Sequence, residues 1–344
     1  MIKKKILEKI IIKNRIPKNV EKSKKKVFIK ELKRQIEPVY LYNFDNIIIN
    51  GNGYPKIYKY QFIKDFLKFN SLSKFIFLKK IILMIIYFKK TINIKFFKKR
   101  KKNAILLHDR HSNNYFHWIT DVIPKIIWAK NNQLLNNNFI LIPTFKNSFQ
   151  EESLKMISKK ILMLDKNEKL FINSLKYISE FHPSGFPRPN SLIETKNFYL
   201  KKYSASYGAD KIYISRRKSS RRKLKNEDEL IKILLNNNFK VLDMEDFDFK
   251  KQVQISAKSK IMISTHGAGL TNLMWMKKQS SIIEIRDYKD DTLNPYFAMC
   301  GCLNIKYYCY FAKKNNLSNF TSHYDYEIDI KNFIKRFKKI ICKN

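Results

Sequence analysis

Glycine, cysteine, proline and acidic residues are all scarce in this chain: 344 residues hold 7 Gly, 4 Cys, 9 Pro and 29 Asp and Glu together. So few glycines leave neither the G-x-G-x-x-G of a dinucleotide site nor the G-x-x-x-x-G-K-[ST] of a P-loop, which argues against those two kinds of phosphate chemistry. Cys300, Cys302, Cys309 and Cys342 lie late in the chain and lack paired C-x-x-C spacing. A zinc site of that pattern and a disulfide framework are therefore not expected, and a reduced, cytoplasmic protein fits best. Long apolar runs are missing too. The opening MIKKKILEKIIIKNRIPK is broken by lysines and offers no signal-peptide core. FIFLKKIILMIIYF (75–88) is interrupted by Lys79 and Lys80 and falls short of the ~20 apolar residues that span a bilayer. With Lys74, Lys89, Lys90 and KKRKK (98–102) around it, this segment suits a peripheral position on an anionic membrane surface, or equally a core element with lysines at its edge.

The shortage of acids against 70 Lys and Arg gives a formal charge of +41, which suits anionic partners: nucleic acid, anionic lipid or phosphorylated substrates. Lys, Asn, Ile, Tyr and Phe are over-used together, so nucleotide bias accounts for much of that charge. At this length two domains sharing a cleft are the leading expectation. Residues 1–35 read as a basic arm, irregular or helical. Residues 36–200 read as an α/β domain with strands at 46–50, 104–109 and 139–143 and helices at 116–132 and 149–162. FHPSGFPRPN (181–190), with three of the prolines, is a loop near a domain boundary. Residues 201–344 form a second series: strands at 211–215, 239–244, 260–265 and 281–286, helices at 226–238 and 248–259, and a further helix over GLTNLMWM. Such alternation predicts parallel sheets with helical crossovers in both halves, hence two Rossmann-like domains.

Against this poverty of glycine, ISTHGAGLTNLMWM (263–276) spends two within three residues. The spacing predicts a buried strand, a tight turn and a helix, and the carboxyl end of a parallel strand is where ligands sit in open α/β sheets. Gly267 and Gly269 would let backbone approach a ligand, the helix-start N–H groups suit a phosphate, and His266 adds a donor. A plain tight turn capped by His266 is the alternative. YISRRKSSRRKLKNEDEL (213–230) carries four arginines past the end of another strand, where a planar guanidinium fork suits a diphosphate. A solvated basic loop is the competing reading, and interleaved aromatics of the kind nucleic-acid binding favours are absent from it. In NNYFHWITDVIPK (113–125), His117 and Asp121 are four apart on one helical face, a pair able to handle a proton.

In order and spacing, N-x-Y/F-H-W-x-x-D-x-x-P, I-S-R-R followed by R-x-x-x-N-E-D-E, and H-G-A-G-L-T-N-L before a strand containing Glu284 resemble glycosyltransferase family 61, the capsular-polysaccharide type. The resemblance covers about three fifths of the chain, residues 104–310, and leaves residues 1–100 unexplained. It implies a GT-B fold, two Rossmann-like domains facing each other across a cleft. It also implies inversion at the anomeric carbon without an essential metal, in keeping with DFD (246–248) as the only Asp-x-Asp string, placed as a helix cap.

A nucleotide sugar, with UDP-sugar among the candidates, is the implied donor and co-substrate, no other cofactor being needed. The implied acceptor is a hydroxyl of a glycan or lipid-linked glycan of capsule or lipopolysaccharide type, at the cytoplasmic face of a membrane, with no specific nucleic acid. Carried over by position, Arg216 and Arg222 match the donor-phosphate arginines, with Arg217 and Arg221 as neighbours that could replace them. His266, Gly267, Ala268, Gly269 and Leu270 match the donor loop, whose N–H groups face the diphosphate. Glu284 matches a ribose-bonding position, and His117 with Asp121 the acceptor-side pair. Asp121 is favoured as base with His117 orienting it, the reverse remaining open. A nucleic-acid-binding basic protein and a catalytically inactive scaffold of transferase fold are the alternatives to an active enzyme.

Overall fold

The computed structural model describes residues 2–17, 19–20, 24–50, 100–107, 111–165, 168–220, 222–288, 294–312 and 325–342. The apolar segment 75–88, the GNG turn at 51–53 and Arg221 lie outside them. Thirteen described strands fall mainly into two sheets. The first is built from β1 (Ile2–Leu7), β4 (Val39–Asn50), β5 (Arg100–Leu106), β6 (Phe139–Pro143), β7 (Ile161–Leu164) and β8 (Lys169–Ile178), in the order β1-β4-β8-β5-β6-β7. Strands β2 (Ile10–Lys13) and β3 (Lys33–Ile36) form a separate antiparallel ribbon. Parallel pairing holds from β8 to β7, whereas β1 and β4 run antiparallel.

Two expectations give way here. Residues 2–7 are an edge strand in register with β4, Ile2 opposite Asn43, rather than an irregular or helical arm. The ladder bonds come from backbone, so a strand built on Lys3, Lys4 and Lys5 needs no apolar period of its own, and its charges suit an edge. Residues 149–162 are not one helix. The helix is Ser148–Lys155, and Ile161–Leu164 is a strand, because Ile-Leu-Met-Leu completes a parallel edge beside β6.

The second sheet is wholly parallel: β9 (Lys211–Ile214), β10 (Lys240–Leu242), β11 (Ile261–Thr265), β12 (Ser281–Arg286) and β13 (Lys306–Phe311), in the order β10-β9-β11-β12-β13. The chain leaves β9 first to one side and then to the other, so the doubly wound sheet has its switch point between β9 and β11. Among the described helices are α1 (Lys26–Ile29), α2 (Tyr115–His117), α3 (Ile123–Asn131), α4 (Ser148–Lys155), α5 (Pro189–Lys202), α6 (Glu227–Leu235), α7 (Phe249–Lys258), α8 (Pro295–Leu303) and α9 (Ile330–Ile341). Asp248 caps α7 by accepting from the Lys251 N–H at 2.7 Å, the role expected for the DFD string.

Buried strands send alternate side chains to opposite faces. One apolar core joins the two sheets' helices: Trp118, Ile123 and Tyr199 share it with Leu270, Trp275 and Tyr296. A second lies on the far face of the parallel sheet, where Ile263, Ile283 and Ile285 meet Phe333 and Phe337 of α9. No helix among the described residues is long and apolar enough to cross a membrane.

Candidate active site

Helix α2 runs into α3 through a π-helical turn, Trp118–Val122, closed by the Ile123 N–H on the Trp118 carbonyl five residues back. Pro124 is the physical cause to look to: without an N–H it cannot bond the Thr120 carbonyl. That carbonyl is taken instead by His182 Nε2 at 3.1 Å. The same turn aims the acceptor-side pair. His117 Nδ1 lies 2.8 Å from Asp121 Oδ2, and the Thr120 hydroxyl donates to Asp121 Oδ1 at 2.6 Å. Ser184 Oγ sits 3.0 Å from His117 Nδ1 and donates to Asp121 Oδ2 at 3.3 Å. Burial alone would raise the Asp121 carboxyl, yet the His117 hydrogen bond, the nearby His182 and the Thr120 hydroxyl together bring it below its ordinary value.

The geometry bears on the choice that the sequence left open between the two roles. Both oxygens of Asp121 are engaged and its side chain is only 11% exposed, against 22% for His117. A carboxylate can only accept, so Nδ1 of His117 carries the hydrogen and Nε2 presents its lone pair outward. Among the described residues Nε2 has no partner. Asp121 is thus placed to orient the ring, and Nε2 of His117 is the atom of the pair left open to a proton.

His182 and Ser184 were missed from sequence, where 181–190 read only as a boundary loop. The signal was in its composition: a histidine, a serine and Gly185 at φ 89° among three prolines, just beyond strand β8. Buried Arg188 anchors the loop by donating to the carbonyls of Phe181 at 2.6 Å, Glu8 at 2.8 Å and Glu37.

Across from this pair, the switch point gathers the second constellation. Arg216 leaves β9 and lays its guanidinium over Gly267, where an added Cβ would meet Nη1 at 1.8 Å. Gly267 has φ 170° and ψ 170°, ordinary extended backbone, so room for Arg216 rather than φ is what demands glycine. Burial, and then the neighbouring Arg222 guanidinium, pull Arg216 below its usual value. Arg222 stands at φ 59° with Nε buried and unbonded among the described residues. Two guanidiniums near enough to repel each other suit an anion that lies between them. Arg217 turns away to Asp243, with Nη2 2.5 Å from Oδ2, which leaves Arg216 as the arginine of its pair at the site.

The donor loop departs from expectation in three respects. GLTNLMWM is not an α-helix: Ala268–Trp275 is 3-10, its first bond running from Leu270 N–H to the Gly267 carbonyl at 2.9 Å. The Leu270 amide is thus spent inside the turn, and the His266 amide is spent on the Ile285 carbonyl at 2.8 Å. The N–H groups left without an intrahelical partner are those of Ala268 and Gly269. Gly269 makes room for protein rather than ligand, since a Cβ there would meet Ile214 Cγ2 at 3.1 Å. Glu284 is 1% exposed, accepting from the Tyr307 hydroxyl on Oε2 at 2.6 Å while His266 Nδ1 sits 2.5 Å from Oε1. The carboxylate expected to face ribose hydroxyls is thus buried, with one protein partner on each oxygen.

Aromatic rings carry one constellation to the other. Phe116 packs against His117 at 5.3 Å and against Tyr296 at 5.7 Å between centroids, and Tyr296 meets His266 at 5.2 Å. The Tyr296 hydroxyl donates to the Gly267 carbonyl at 2.6 Å. Tyr115 adds a polar tie, its hydroxyl donating to Asn272 Oδ1 at 2.8 Å. Every sequence-derived site residue therefore falls in one neighbourhood, and His111 joins it by packing on His117 at 4.9 Å. Among the described residues no cluster of three His, Cys, Asp or Glu is placed to hold a metal ion.

Residues 115–283 match the family model described as Glycosyltransferase 61, a span that contains every sequence-derived site residue except Glu284. A 127-residue stretch is 28% identical to the EGF domain-specific O-linked N-acetylglucosamine transferase of Gallus gallus. The match covers 36% of this chain and 24% of that protein's length.

Proposed function

From the premise that the chain belongs to glycosyltransferase family 61 through residues 115–283, we propose that it transfers a sugar from a nucleoside-diphosphate sugar to an acceptor hydroxyl with inversion and without a metal. The observation that carries this reading is the convergence of an oriented histidine and a paired-arginine anion site on opposite sides of the Phe116–Tyr296 bridge. His117, oriented by Asp121, takes the hydroxyl proton as the oxygen attacks the anomeric carbon. The bond to the diphosphate breaks on the far side, and Arg216, Arg222 and the amides of Ala268 and Gly269 take up the charge that develops there. Arginine supplies the charge a divalent cation would otherwise provide. The two sheets act as the two halves of a GT-B enzyme, acceptor on the six-stranded side and donor at the switch point of the parallel one.

We read the donor as a UDP-sugar, and N-acetylglucosamine is the first sugar to test, since the Gallus gallus relative is named for it. The acceptor we favour is a glycan or lipid-linked glycan of capsule or lipopolysaccharide type at the cytoplasmic face of a membrane. The charge of +41 supports that placement, because lysine-rich surfaces gather at anionic lipid. A protein acceptor is the second reading, and the relative's name is what favours it.

A thermal-shift screen of nucleoside diphosphates and nucleotide sugars tests the donor. A true donor at about 100 times its Kd adds about 2.7 kcal/mol to the folded state. Proton NMR of the transferred sugar tests inversion. No stabilisation by any diphosphate, or a retained anomeric configuration, would contradict the reading.

A further inference from the structure

We propose that Glu284 and Tyr307 are positioning residues that act through His266, holding its ring so that Nε2 donates a hydrogen bond to the donor's diphosphate. This rests on the transferase reading above, and it gives Glu284 a different task from the ribose contact expected by position. Sheet register brings the three together. Ser264 of β11 lies opposite Glu284 of β12, which lies opposite Cys309 of β13. His266 is two residues beyond Ser264 and Tyr307 two before Cys309, so all three side chains share one face of the sheet. The His266 amide prolongs the ladder by bonding the Ile285 carbonyl at 2.8 Å, which fixes the ring's starting point.

The Glu284 carboxylate is fully buried, with His266 on one oxygen and the Tyr307 hydroxyl on the other. An ionised carboxylate only accepts, so Nδ1 is the donor in this pair. The ring is 19% exposed, and Nε2 meets no other group among the described residues. It adjoins Gly267, over which the Arg216 guanidinium lies. The charged and titratable groups around the ring are Glu284 and Tyr307 on the sheet, Tyr296 from α8, and the Arg216–Arg222 pair beyond Gly267.

Nε2 presents a hydrogen to a phosphate only when the ring holds both protons, the second coming from solvent. The two His–carboxylate pairs then do opposite things with one geometry: His117 meets a hydroxyl with a lone pair, and His266 meets an oxyanion with a proton.

The test is a double-mutant cycle on the full chain, reading the affinity for inorganic pyrophosphate and for UDP by titration calorimetry. Glu284→Gln and His266→Gln should each weaken both ligands by roughly tenfold or more, and the double variant should be little worse than either single one. Glu284→Asp, which keeps the carboxylate facing the ring, should recover part of the affinity that Glu284→Gln loses. Tyr307→Phe, which removes one hydroxyl from the core, should fold and weaken pyrophosphate by a few-fold. Additive losses, a Glu284→Gln loss confined to UDP, or no recovery in Glu284→Asp would overturn the inference while leaving the transferase reading intact. A wild-type protein that binds neither ligand would overturn both.

Discussion

The site holds two histidine–carboxylate pairs, made by different means. His117 and Asp121 are one helical turn apart, and a π turn at a proline opens their surroundings to a second histidine and a serine. His266 and Glu284 are 18 residues apart and meet only because β11 and β12 lie side by side. In the first pair the carboxylate keeps some solvent contact, its side chain 11% exposed; in the second it is 1% exposed and closed off by a tyrosine. The same two residue types are thus set for two tasks by what surrounds each ring: His111 and Phe116 pack on His117, whereas the Arg216 guanidinium lies over Gly267 beside His266.

The largest expected effect breaks the first pair. His117→Gln should lower kcat on the order of 10²–10⁴-fold with diphosphate affinity unchanged. Asp121→Asn should follow it closely, because an amide no longer fixes the ring with its hydrogen on Nδ1. Steady-state kinetics alongside calorimetry separate these outcomes, and an Asp121→Asn enzyme with near-normal turnover would remove the pair from the chemistry.

The two glycines sharpen the second constellation. Gly267→Ala drives a methyl into the Arg216 guanidinium and should weaken diphosphate binding by roughly tenfold through loss of its two-pronged contact. Gly269→Ala presses on Ile214 instead, so it should cost about 1 kcal/mol of stability and leave binding nearly intact. Equal binding losses in the two would mean that the amides of the turn, not Arg216, dominate.

A smaller effect is expected at Pro124. Pro124→Ala restores an N–H that competes with His182 for the Thr120 carbonyl, so the helix should keep or gain stability while kcat drops a few-fold. Thermal melts and turnover on the same sample decide this, and unchanged turnover would reduce His182 to packing.

The smallest is an acid limb. The folded Asp121 carboxyl sits below its unfolded value, so its contribution to stability is complete above about pH 4, the unfolded carboxyl value, and is lost as pH falls through the folded one. Denaturant midpoints measured downward from pH 5 should fall less steeply in Asp121→Asn than in the wild type.

Local chemistry was legible in the sequence, and registered chemistry was not. The four-residue spacing of His117 and Asp121, the arginines after β9 and the HGAG turn each announce a site within one short stretch. The parallel sheet behind them was readable from strands alternating with helices. Hidden were the contacts that depend on which strand lies beside which: Tyr307 reaching Glu284, Ile214 under Gly269, and His182 reaching back 62 residues to Thr120. Strands β1 and β13 were overlooked because lysines and tyrosines mask their period, although backbone bonding and edge position support them. The open choice between Asp121 and His117 as base has the same origin, since spacing shows that two groups meet but not which of them keeps a free atom.

The division of labour is tested most directly by measuring the nucleoside-diphosphate dissociation constant of His117→Gln and His266→Gln beside the wild type, under one set of conditions. The account predicts that His117→Gln binds within about twofold of the wild type and that His266→Gln binds roughly tenfold or more weakly. Equal losses in both variants, or a loss confined to His117→Gln, would contradict it.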